Sequence, residues 1–129
     1  MAASDYLERA RALVPLIAGA AARAERERRV PDDVRQALHA AGLMRMLLPA
    51  QFGGGEVDPS TFVQVIETLA AADASTAWCV NQACGCSMST AYLKPEVAAA
   101  MYAAPDSVMA WGPGAGQAIE VDEIGRAHV

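Results

Sequence analysis

Residues 41–55 read Ala-Gly-Leu-Met-Arg-Met-Leu-Leu-Pro-Ala-Gln-Phe-Gly-Gly-Gly, and no other stretch limits the fold as much. Gly42 has no Cβ, so it can take the left-handed conformation that ends a helix. Residues 43–48 are too apolar for solvent and too short for another packed helix. Pro49 stops any regular element. Gly53, Gly54 and Gly55 then allow backbone angles that other residues resist. The stretch therefore predicts an apolar crossing of the protein that emerges in a tight, glycine-built turn.

Helical patterns flank this crossing. Ser4 or Asp5 can cap a first helix to about residue 29. Leu7, Ala10, Val14, Ile17 and Ala21 form its apolar stripe, and Pro15 is expected to kink it. Residues 23–29 are a mixed charge run, read as a solvated face with local ion pairs. Pro31 opens a second helix, with Asp32 and Asp33 at its positive end and Val34, Leu38 and Ala41 inward. His39 beside that stripe reads as a partly exposed structural histidine. Asp58 and Pro59 cap and start a third helix with Phe62, Val65, Ile66 and Leu69 on one face. A fourth, over 74–93, is small or apolar on nearly every side, which predicts a central, buried helix. Its Asn81 and Gln82 then need partners. Pro95 starts a fifth helix, ending near residue 104. Beyond it, 107–111 and 119–121 alternate as two short strands around a glycine-rich loop. The expected fold class is mostly α: a bundle of about five helices over 1–105, then the first strands of a truncated β-domain over 106–122.

Several functions are excluded at this level. A formal charge of -5 argues against a nucleic-acid surface, which needs a basic patch. The longest apolar run of the first helix, 13–22, is well short of the roughly 18–20 residues a membrane span needs. Asp5 and Glu8 lie where an export signal would be basic. Cys79, Cys84 and Cys86 are odd in number, clustered and without metal-ligand spacing, so they read as reduced cytoplasmic thiols and mostly as buried small hydrophobes. Gly112, Pro113, Gly114, Ala115 and Gly116 are followed neither by Lys-Ser nor by a helix, so they form no phosphate-binding loop. Ser75 and Ser87 lack a nucleophile elbow. The residues alone thus identify a helical domain with a glycine-rich exit and no catalytic group.

The order of features resembles the N-terminal helical domain of the acyl-CoA dehydrogenase superfamily. The matching residues are Val30-Pro31, Ala41-Gly42-Leu43, Leu48-Pro49, Phe52-Gly53-Gly54, Ile66-Glu67-Thr68-Leu69-Ala70 and Ser75-Thr76-Ala77-Trp78, within about 7–121. The resemblance implies a flavoenzyme with a helical domain, a β-barrel-like domain and a second helical bundle, in a homo-oligomer with flavin between domains and subunits. It implies FAD, or alternatively FMN with reduced flavin supplied by a reductase. It places Trp111, Gly112, Pro113, Gly114, Ala115 and Gly116 on the flavin side, and Trp78, Gln82 and Cys86 on the substrate wall.

Two activities follow from that resemblance. Pro113-Gly114-Ala115-Gly116 matches the loop core of the dehydrogenases, which oxidise acyl-CoA substrates, although the flanking Trp111-Gly112 and Gln117-Ala118 replace their Thr-Glu and Ser-Asp. The Trp78 context is closer to the oxygenase components of two-component flavin-dependent monooxygenases. Those carry a histidine where this chain has Cys86. The carboxylate base of dehydrogenation belongs to the C-terminal bundle, so no catalytic residue is assigned. The competing class is a non-enzymatic helical interaction module. Residues 123–129 depart from the resemblance and back-translate into the start of a common sequencing adapter, so they are expected to be a non-native tail of a fragment, with no functional weight on His128.

Overall fold

The computed structural model describes residues 3–111. Five α-helices occur among them: α1 (Ala3–Glu27), α2 (Asp32–Ala40), α3 (Pro59–Ala70), α4 (Ala74–Ser87) and α5 (Pro95–Met101). Short 3-10 turns occupy Leu43–Arg45, Ala50–Phe52 and Met88–Tyr92. The mostly α class therefore holds. α3 packs between α1 and α4, and α2 and α4 both touch the Leu43–Arg45 turn.

The crossing forms as its residues predict. Gly42 is left-handed at φ 74° and Gly53 at φ 81°. Leu43, Met46 and Leu48 are fully buried, each worth about 1.5–3 kcal/mol of apolar burial. The emerging turn is bonded back onto the crossing. Gly55 N donates to Arg45 O at 2.9 Å, Glu56 N to Leu48 O at 3.2 Å and Val57 N to Met46 O at 2.9 Å. The last two glycines are required by space. A Cβ on Gly54 would overlap the Leu48 carbonyl, and one on Gly55 would overlap the Tyr6 ring.

That ring shifts the stripe of α1. Its buried residues are Tyr6, Ala10, Ile17 and Ala20, while Leu7, Val14 and Ala21 are only half-buried. The room left by Gly42 and Gly55 is filled by Tyr6, which rotates the core-facing centre by about one residue. α2 and α3 follow expectation. Val34 and Leu38 are buried, Asp58 accepts from Thr61 N at 3.0 Å, and Val65 and Leu69 are buried. Arg23 bridges from α1 to Asp33 on α2 through two contacts of 2.6 and 2.7 Å.

Three expectations are corrected. First, α4 is not buried all round. Thr76, Ala77, Val80, Ala83, Cys84 and Ser87 face the core, but Trp78 is 62% exposed, Met88 is 54% exposed and Cys79 is exposed. The open side carries Trp78 and Cys79 together with the amides Asn81 and Gln82, and Met88 follows directly after the helix. Secondly, α4 ends at Ser87 rather than near residue 93. Ser87 Oγ donates to Cys84 O at 2.6 Å and Ser89 Oγ to Cys86 O at 2.7 Å. Such back-bonding competes with the helix and tightens it into the 3-10 turn. Thirdly, no strand occurs at 107–111 or elsewhere among the described residues. Its proposed partner, 119–121, lies outside them, and a strand is defined by its ladder.

Candidate functional site

Where α5 ends, the chain doubles back along the open face of α4. Trp111 Nε1 donates to Gln82 Oε1 at 2.7 Å. Ser89 Oγ lies between the Cys86 carbonyl, at 2.7 Å, and Met109 Sδ, at 3.3 Å. Its single proton serves one of them at a time. These contacts enclose an open cleft of about 440 Å³, lined by Asn81, Gln82, Gly85, Cys86, Ser89, Met109 and Trp111.

The cleft joins residues assigned separately from sequence. Gln82 and Cys86 come from the expected substrate wall and Trp111 from the expected flavin side, and all three line one space. Trp78 is on the same helix one turn before Gln82, exposed and outside the lining. Gly112, Pro113, Gly114, Ala115 and Gly116 lie outside the described residues. Asn81 was legible only as an amide needing a partner. Ser89 and Met109 carried no sequence signal, because their role arises from the fold-back.

The chemistry of the cleft is neutral. No charged side chain lines it. An indole, a thioether, a thiol and two amides suit a flat, uncharged ring with hydrogen-bonding edges better than a phosphate or a carboxylate. A flavin ring or an aromatic substrate fits that donor set. A larger recess of about 830 Å³ lies between the end of α1 and the start of α4, lined in part by Arg28, Arg29, Asp73 and Ser75. It mixes both charge signs and holds none of the predicted site residues.

The three thiols differ sharply. Cys84 is fully buried and donates to Leu43 O at 3.2 Å. Burial pushes its pKa from 9.0 up to about 11. Cys79 is exposed and Cys86 half-buried. The reading as buried hydrophobes therefore holds for Cys84 and is corrected for the other two, which occupy the open side of α4. His39 is half-buried, and burial lowers its pKa, with Arg35 adding to the effect.

Residues 6–102 match the family described as Acyl-CoA dehydrogenase, N-terminal domain. The chain belongs to that family. Among the relatives of this acyl-CoA dehydrogenase-like domain is the flavin-dependent monooxygenase, oxygenase subunit HsaA, of Rhodococcus jostii. It is 39% identical over 72 residues, covering 56% of this chain and 19% of the relative. Indole-3-acetate monooxygenase of Pseudomonas putida is 37% identical over 101 residues, covering 75% and 25%. The oxygenase component of p-hydroxyphenylacetate 3-hydroxylase of Acinetobacter baumannii is 40% identical over 80 residues, covering 62% and 19%. The matches thus span 19% to 25% of each relative's length. Among the described residues no helix is long and apolar enough to cross a membrane.

Proposed function

We propose that this domain is the N-terminal helical part of the oxygenase component of a two-component flavin-dependent monooxygenase acting on a small aromatic substrate. The carrying observation is the uncharged cleft in which Gln82 and Cys86 of α4 meet Trp111. The names of the relatives support the same reading. Flavin, when bound, supplies the activation of oxygen, and the protein supplies placement and exclusion of water. Trp111 and the following Gly112, Pro113, Gly114, Ala115 and Gly116 border the flavin. Gln82 and Cys86 border the substrate, with Trp78 exposed one turn before Gln82 on the same helix. Cys86 is a weaker hydrogen-bond donor than the imidazole of the resembling branch, so proton handling falls to another group. On this reading the helical domain occupies 1–105. The whole enzyme is a cytoplasmic homo-oligomer served by a flavin reductase.

A second reading, flavin-mediated desaturation of an acyl-CoA, is favoured by Pro113-Gly114-Ala115-Gly116. One experiment separates them in the full-length polypeptide that carries this domain. Reduced flavin, oxygen and a phenolic or indolic substrate should give a hydroxylated product. Anaerobic bleaching of the bound oxidised flavin by an acyl-CoA, with no hydroxylation, would overturn the monooxygenase reading.

A further inference from the structure

Arg45 is the residue of the crossing that leaves it. Its carbonyl accepts from Gly55 N at 2.9 Å and its amide donates to Gly42 O at 3.3 Å. Its backbone is therefore fixed between the glycines at the two ends of the crossing. Its side chain reaches the segment that follows α5. Nη2 donates towards the carbonyls of Tyr102, at 3.5 Å, of Ala104, and of Ser107, at 3.4 Å. The guanidinium also lies 5.3 Å from the centre of the Tyr102 ring.

These carbonyls belong to the end of α5 and the turn after it, where the helical ladder has run out. A cation there satisfies orphan acceptors and suits the negative end of the helix. Two features exceed ordinary capping. Ser107 lies beyond the helix, four residues before Trp111. In addition, Arg45 Nε is buried with no hydrogen-bond partner. An unmet buried donor is a cost that needs a compensating role.

We infer that Arg45 is a positioning residue for the cleft. By clasping three backbone carbonyls between residues 102 and 107, it sets where the strandless segment 108–111 runs. It thereby brings Met109 to Ser89 and the Trp111 indole to Gln82. The first glycine stretch is thus coupled to the wall of a site formed before the second one. This inference rests on geometry alone and stands whichever flavin chemistry the enzyme performs.

The test uses the whole 129-residue chain in a Trp78→Phe background, which leaves Trp111 as the sole indole. The indole N–H resonance of Trp111 is recorded by nitrogen-edited NMR, and the alkylation rate of Cys86 is followed by mass spectrometry. Arg45→Ala should move the indole resonance to the position it takes in Gln82→Ala. It should also speed Cys86 alkylation several-fold, with Cys79 unchanged and the helical circular dichroism retained. A further Gln82→Ala change in the Arg45→Ala chain should then shift the resonance no more. An indole resonance unmoved by Arg45→Ala overturns the inference. Should Arg45→Ala fail to fold, Arg45→Gln takes its place, and loss of helical signal in both makes Arg45 a fold-holding group and equally overturns it.

Discussion

Residues 43–57 and 102–111 both follow a helix and both run towards glycines, but they are held in opposite ways. The first segment is secured by backbone bonds to itself and by side chains with no exposure, as at Leu43, Met46 and Leu48. The second has no ladder and is secured by side chains reaching in from elsewhere: Arg45 on its carbonyls, Ser89 beside Met109 and Gln82 on Trp111. Trp111 remains 67% exposed. A segment bound by its own backbone tolerates almost no change of volume. One bound by a few borrowed contacts can be altered contact by contact, which is what a ligand-facing wall requires.

The strongest break of this contrast is Gly54→Ala. A methyl group there meets backbone, which cannot step aside as a side chain can. The expected loss is about 3 kcal/mol, measured by urea unfolding. Gly85→Ala, on the open side of α4 with nothing near its Cβ position, should be neutral or slightly stabilising by comparison.

Next in size is a pH effect at Cys84, whose thiol touches the first segment through Leu43. Its folded pKa, about 11, lies above the unfolded value of 9.0. The unfolded chain therefore releases this proton first as the solution becomes alkaline. The contribution is fully present below that unfolded value and is lost as pH rises through the window up to the folded one. Up to about 3 kcal/mol should disappear across it, and Cys84→Ala should flatten that part of the stability profile. Alkylation of the native protein sharpens the comparison, since Cys86, two residues along and lining the cleft, should react while Cys84 does not.

A smaller loss is expected for Asp73→Ala. Asp73 caps α4 by accepting from Thr76 N at 2.7 Å, and removal of such a cap costs about 1 kcal/mol, readable as a lowered urea midpoint. The smallest effect belongs to Gln82→Ala. It should change stability by no more than about 0.5 kcal/mol, because Gln82 serves only the borrowed wall. The Trp111 indole resonance should nonetheless move clearly.

Local signals made much of this fold legible. Asp58-Pro59 and Asp73 start helices through side-chain and φ chemistry that needs no distant partner, and Gly42 and Gly53 mark left-handed positions. Legibility failed where the reason was remote. Tyr6 is buried because glycines some forty residues away make room for it. The helix ending at Ser87 was missed because a run of hydroxyls outweighed an apolar pattern. α4 was read as central because its composition is apolar, although composition does not say whether neighbours exist on both sides. Of the site, Gln82, Cys86 and Trp111 were named from the family resemblance, but their meeting was not visible. Arg45 carries no local signal in its apolar run, since its purpose depends on carbonyls more than fifty residues ahead.

The weak contrast between the two sides of α4 has a consequence for its rotational setting. An ordinary surface helix is oriented by the contrast between an oily and a wet side, and a turn about its axis of one residue, about 100°, exposes the wrong groups. α4 lacks that contrast, so hydrophobicity alone does not choose its angle. A polar pin to a neighbouring segment helps to choose it: the Cys84 thiol donates to Leu43 O, outside the helix. Positions 78, 82 and 86 are thereby released from any duty in orienting the helix. They can drift between greasy and polar residues without the helix rolling, so the cleft can be retuned to new ligands while the scaffold stays as it is.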